Sequence, residues 1–167
     1  ALDKIEALTD LRTDLEWHCI GPLQSNKTRP VAEHFDWVHS VDRLKIAERL
    51  SAQRPDGLPP LQLCLQVNVD GGANKSGVSP AGLPALARAV AALPRVRLRG
   101  LMAIPDPADD FEAQRALFAQ DAALHEQLRA EGLALDTLSL GMSADLEAAI
   151  AAGSTMVRVG TAIFGRR

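Results

Sequence analysis

The sequence predicts an α/β chain folded as a (β/α)8 barrel of the TIM type, lacking roughly its first two β/α units. Three observations carry this. Short β-type runs alternate with helical patterns six times along 167 residues, the signature of a parallel sheet with its helices outside. Two of the strands are polar along one face, whereas a strand covered by helices on both faces would be apolar throughout. Six strands also fall short of the eight strands and about 250 residues that close such a barrel.

An amphipathic helix is expected over residues 1–8 (ALDKIEAL). Strands follow at 17–21, 37–41, 61–69, 98–104, 137–141 and 156–160, with helices at 27–34, 43–53, 83–93, 111–130 and 144–151. The connections LPP (58–60), DGGANKSG (70–77) and PDPADD (105–110) carry the Gly, Pro and Asp of turns. In LQLCLQVNV (61–69), Leu61, Leu63, Leu65, Val67 and Val69 share one face, and Gln62, Cys64, Gln66 and Asn68 the other. In MVRVG (156–160), Val157 and Val159 oppose Met156, Arg158 and Gly160. A polar face suits a lumen that opens on a ligand. No linker divides the chain, so residues 1–167 are expected to form a single, partial barrel domain. Both ends read as trimmed: Ala1 opens within a helix, and Arg166 and Arg167 follow a strand directly. Two unpaired strand edges would predispose such an open barrel to self-association.

Composition excludes several classes. At 47% hydrophobic and 23% charged, the chain can bury one substantial core. A net charge of -3 without a basic stripe gives no field for nucleic acid, so none is expected as a partner. No apolar run approaches the roughly 20 residues of a membrane helix. Cys19 and Cys64 sit in apolar runs without CxxC spacing, as reduced, buried thiols of a cytoplasmic protein would. His18, His34, His39 and His125 show neither HExxH spacing nor a carboxylate ligand set, so they read as structural or surface histidines and no metal is expected. GxSxG, P-loop and GxGxxG motifs are missing as well.

In a barrel the chemistry sits where the strands' C-terminal ends meet the βα loops. In LSLGMSADLE (138–147), a strand ends at Gly141, and Ser143 is expected to cap a helix carrying Asp145 and Glu147. Bare N–H groups at such a helix start attract anions, although an ordinary N-cap explains this motif alone more economically. In VRVGTAIFG (157–165), Gly160 and Thr161 close the last strand and offer backbone N–H groups and a hydroxyl to a phosphate; alone, they could be a strand ending in a turn. Loops after the last two strands form the phosphate site of many such barrels, so the pair is worth more than either motif. GPLQSNK (21–27) supplies further rim groups, or simply a loop and helix start. Lys75, in a turn-like NKSG, could reach the rim or extend into solvent.

HCIGPLQSNK (18–27), NKSG (74–77), RGLMAI (99–104), LSLGMSAD (138–145) and VRVGTAIFG (157–165) together resemble the signature blocks of the pyridoxal phosphate homeostasis protein family, over nearly the whole chain. The resemblance implies a barrel like the N-terminal domain of alanine racemase, which binds pyridoxal 5'-phosphate (PLP) without an established turnover reaction and carries and buffers vitamin B6. It further implies that Met142, Ser143, Gly160 and Thr161 surround the phosphate, that Arg158 faces the pyridine nitrogen, and that Lys75 lies near the cofactor entrance. In that family the lysine that binds the cofactor ends the first strand, upstream of everything present here. Covalent attachment of PLP is therefore not expected in this chain, and no catalytic residue is expected.

PLP, or a phosphate-type anion, is the expected ligand. Two other functions fit less well. A PLP-dependent amino-acid racemase would need an acid/base residue on each face of the ring, and the chain contains no tyrosine. A phosphate-binding barrel enzyme would bind sugar phosphates and not PLP.

Overall fold

Every strand pairs only with its sequence neighbours, and every pairing is parallel. β1 (His18–Cys19), β2 (Trp37–Val41), β3 (Leu61–Gln66), β4 (Val96–Met102), β5 (Thr137–Met142) and β6 (Met156–Arg158) form one sheet in that order. The computed structural model describes residues 1–11, 14–71 and 76–165. Its helices are α1 (Leu2–Ala7), α2 (Thr28–His34), α3 (Leu44–Gln53), α4 (Leu83–Ala91), α5 (Phe111–Ala130), α6 (Leu146–Ala151) and α7 (Thr161–Phe164).

The sheet curls. β2 and β5 stand three strands apart, about 14 Å in a flat sheet at roughly 4.8 Å per strand, yet the His39 and Ser139 side chains meet at 2.9 Å. The curl encloses a face holding Trp37, Cys64, Met102 and Met156. Leu61, Leu63 and Leu65 lie outside it, packed with Ile46, Ala47 and Leu50 of α3 and Leu83, Ala87 and Val90 of α4. The spacing 46, 47, 50 puts one stripe of α3 against the sheet, and burying each large aliphatic side chain contributes about 1.5–3 kcal/mol. This is the partial (β/α) barrel that the alternation of elements and the polar strand faces predict.

Close approach of two strands explains one glycine. A Cβ at Gly100 would lie 1.6 Å from the carbonyl oxygen of Thr137, so β4 and β5 pack together only without a side chain there. Elsewhere, buried Arg54 donates through Nη1 to the carbonyls of Ala32 and Phe35 and through Nε to that of Pro59, tying the end of α2 to the entry of β3.

Several boundaries differ from those the sequence predicts. β3 stops at Gln66, because Val67 pairs in an isolated bridge with Val78 and Asn68 donates to the Val78 carbonyl. β6 stops at Arg158, and Gly160 leads into the one-turn helix α7 where a strand end was expected. α6 begins at Leu146 and not at 144. The edge strands β1 and β6 are two and three residues long. Among the described residues no helix is long and apolar enough to cross a membrane, and no group of His, Cys, Asp or Glu is arranged to hold a metal.

Candidate functional site

At the C-terminal end of β5, Gly141 takes φ +87 and turns the chain, and a Cβ there would come within 2.5 Å of the Ala149 Cβ on α6. The Asp145 carboxylate closes this turn by accepting from the Met142 N–H at 2.6 Å. Asp145, not Ser143, therefore occupies the N-cap position of α6, and neither side chain caps the helix. The expectation that Ser143 caps a helix is thus corrected: with Asp145 holding the turn, the helix starts two residues later than expected. The Ser143 hydroxyl instead accepts from the backbone N–H groups of Gly160 and Ala162, at 3.3 and 3.4 Å. The structure brings Ser143 together with Gly160 and Thr161 across two loops. A Cβ at Gly160 would meet nothing within 4 Å, which leaves room beside these donors. Long bonds from two N–H groups to one neutral hydroxyl form a cradle in which an anionic oxygen would bind more strongly.

Arg158, on β6, points into the lumen as its strand alternation predicts. Its Nη1 donates to the Ser139 carbonyl at 2.5 Å and to the Ser139 hydroxyl at 2.8 Å, and its Nη2 donates to the Ala103 carbonyl at 3.0 Å. The inward strand faces carry mainly Gln, Asn and Cys in sequence and no clear acidic partner for this guanidinium, so a ligand ring nitrogen or water is the acceptor the sequence leads one to expect. The structure supplies three, two of them backbone carbonyls of neighbouring strand segments. Nε remains buried and without a partner among the described residues. Burial lowers the guanidinium pKa from its ordinary value, with Asp145 opposing that shift.

Three residues the site prediction omitted extend inward from Arg158. Ser139 meets His39 Nδ1 at 2.9 Å, and His39 Nε2 meets His18 Nδ1 at 2.9 Å. His18 stacks on Trp37, with ring centroids 5.2 Å apart and an angle of 6°. Arg99 lies over the same indole at 4.8 Å and grips the Asp136 carboxylate at 2.7–3.1 Å. Burial, then the neighbouring His18 and Arg158, pushes the pKa of His39 down to about 3. Burial also lowers that of His18, against the pull of Glu16 and Asp36. Both rings are therefore neutral near pH 7. Burial pushes the Cys64 thiol up to about 12, leaving it an inert part of the lumen wall. The shared face of Trp37 and His39 was readable from strand alternation, but the pairing of His39 with Ser139 spans 100 positions and needs the closed curl.

Two clefts adjoin these groups. One, of about 510 Å³, lies between β1 and β6 and is lined by His18, His39, Met156, Arg158 and Gly160. The other, of about 860 Å³, lies outside the first and is lined by Ile104, Phe111, Met142, Ser143 and Glu147. Met142 pairs with Arg158 across β5 and β6, but its exposed side chain faces the larger cleft. Lys75 lies outside the described residues.

Known proteins match this arrangement. The profile of the family described as "Alanine racemase, N-terminal domain" matches residues 2–167. The chain is 65% identical over 167 residues to the pyridoxal phosphate homeostasis protein of Pseudomonas aeruginosa, covering 100% of this chain and 70% of that one. It is 58% identical over 167 residues to the protein of the same name from Escherichia coli K12, covering 99% and 71%. The structure of PipY from Synechococcus elongatus PCC7942 with PLP bound superposes with a TM-score of 0.89 at 42% identity, over 99% of this chain and 77% of that one. Alanine racemase from Corynebacterium glutamicum, at 19% identity and a TM-score of 0.70, shares the fold. The chain therefore belongs to the alanine racemase N-terminal domain family, among its pyridoxal phosphate homeostasis proteins.

Proposed function

We propose that this chain binds PLP as a carrier in vitamin B6 homeostasis and does not turn over a substrate. The observation that carries this reading is the buried Nε–H of Arg158, unpartnered among the described residues while its Nη groups are engaged by Ser139 and Ala103. An unpaired buried donor costs about 1–3 kcal/mol, and a pyridine nitrogen is the acceptor that would relieve it. Ser143, Gly160 and Thr161 would hold the phosphate, through the N–H groups now spent on the Ser143 hydroxyl. Met142 would border the phosphate through its backbone, and Lys75 is assigned to the entrance on the family resemblance alone. The names of the relatives and the PLP bound to PipY support the ligand.

When bound, PLP supplies an electron sink for carbanion chemistry. A guanidinium does not readily give up a proton, so a ring nitrogen facing Arg158 stays unprotonated and the sink is weakened. Short edge strands β1 and β6 would be the contact surfaces if the chain self-associates, a point that sedimentation velocity decides.

The test is a PLP titration followed by absorbance and fluorescence, with borohydride treatment and mass analysis to separate covalent from noncovalent binding. Saturable one-to-one binding, weakened and spectrally shifted by Arg158→Gln in a folded chain, is expected. Affinity for sugar phosphates and none for PLP would overturn the proposal.

A further inference from the structure

We infer that His39, acting through Ser139, is a positioning residue that fixes the Nη groups of Arg158 and leaves its Nε as the one guanidinium nitrogen without a partner among the described residues, so that the site selects a ligand whose ring atom is a bare acceptor nitrogen. This deepens the PLP-carrier reading and rests on it. The argument begins with direction. A guanidinium has five N–H donors and no acceptor, so in its contact with Arg158 Nη1 the Ser139 oxygen must accept. Ser139 then has its own hydrogen to give. The remaining partner of that hydroxyl is His39 Nδ1, at 2.9 Å. An Nδ1 that accepts is bare, which puts the proton of a neutral imidazole on Nε2. That proton points at His18 Nδ1, 2.9 Å away, so His18 accepts there and carries its own proton on Nε2.

All three links thus run the same way, from Arg158 to Ser139 to His39 to His18. The opposite arrangement, with His39 donating from Nδ1, would leave the Ser139 hydroxyl hydrogen unpaired at a fully buried position, a costly outcome. The far end is anchored as well, because His18 is stacked on Trp37, which carries Arg99 on its ring. Aligned bonds polarise one another and hold the geometry they share.

Selectivity follows at Arg158. With the Ser139 carbonyl and hydroxyl on Nη1 and the Ala103 carbonyl on Nη2, the guanidinium cannot rotate without breaking bonds to buried groups. Nε–H is left over. A ring nitrogen with a bare lone pair satisfies it. A ring C–H at the same place leaves it unpaired, and an N–H⁺ adds charge repulsion. Losing one hydrogen bond to a charged group corresponds to about a tenfold to hundredfold loss in affinity.

The experiment measures the affinity of the intact chain for PLP and for the carbocyclic analogue in which C–H replaces the ring nitrogen. Ser139→Ala, His39→Leu and His39→Asn are compared with the wild type. The wild type should prefer PLP by about tenfold to a hundredfold. Ser139→Ala and His39→Leu should lose most of that preference. His39→Asn, which restores an acceptor for Ser139, should keep it. In parallel, ¹⁵N NMR of the wild type should show His39 with a bare Nδ1 and a protonated Nε2, a readout that stands even if a variant fails to fold. A wild-type preference near one, or a preference unchanged by Ser139→Ala and His39→Leu, overturns the inference and leaves the carrier reading intact. Protonated Nδ1 on His39 overturns it likewise. No PLP binding by the wild type overturns the carrier reading itself, and the inference with it.

Discussion

Asp121 should make the stability of this chain fall as pH rises toward neutrality. Residues 114, 118, 121, 125 and 128 form the buried stripe of α5, and within it Asp121 is fully buried with neither carboxylate oxygen partnered among the described residues. Burial, and secondarily the charge of Asp70, pushes its carboxyl from 3.8 up to about 7. The folded chain therefore keeps a proton that the unfolded chain gives up. The stabilisation is fully present below about 3.8 and is lost as pH rises through about 7. At about 1.4 kcal/mol for each pH unit between those values, the loss is about 4 kcal/mol. Asp121→Asn keeps the shape and the unmet polar atoms but cannot ionise. His125, one turn further along the same stripe, acts in the opposite direction: burial lowers its pKa, so its contribution is lost as pH falls below 6.5. The difference between the two chains, rather than either curve alone, is therefore the readout. Urea unfolding followed by the fluorescence of Trp17 and Trp37, from roughly pH 4 to pH 8, should show the variant gaining about 4 kcal/mol on the wild type. Parallel stability curves would refute the reasoning, because a carboxylate that ionises at no cost is not buried without a partner.

Ser143→Ala together with Thr161→Val should weaken the binding of phosphate or PLP, measured by calorimetry, by about 1–3 kcal/mol, and unchanged affinity would count against the cradle. Gly100→Ala places a Cβ where the Thr137 carbonyl oxygen stands. Urea unfolding should register a loss of more than about 3 kcal/mol or no folded chain; a loss below about 1 kcal/mol would mean that β4 and β5 separate easily.

Much of the fold could be read from single segments, because the forces that write it there are local. Alternation in LQLCLQ sets Leu61, Leu63 and Leu65 against the helices whatever lies beyond them, and the α3 stripe follows from helical period alone. Pairing across a loop is less local. β3 is shorter than its sequence pattern because Val78 returns to bridge Val67, a competition invisible in residues 61–69. Ser143 illustrates the same limit at the site. Either Ser143 or Asp145 could have held the turn after Gly141, and the carboxylate, which binds the Met142 N–H at 2.6 Å, took it.

The sequence by itself determined that this is a β/α barrel chain, which strand faces look inward, that Arg158 is among the lumen residues, and that Ser143, Gly160 and Thr161 stand on the segments that follow β5 and β6. Each of these depends on neighbours within a few positions, through alternation, turn chemistry and strand order. Only the tertiary structure decided which atoms face one another. Ser139 and His39 lie 100 positions apart and touch because six twisted strands curl. The acceptors of Arg158 are carbonyls of Ser139 and Ala103, and backbone carbonyls carry no signature in a sequence. Which nitrogen of that guanidinium is left without a partner depends on adding up those contacts, and such a sum exists only once the strands are side by side.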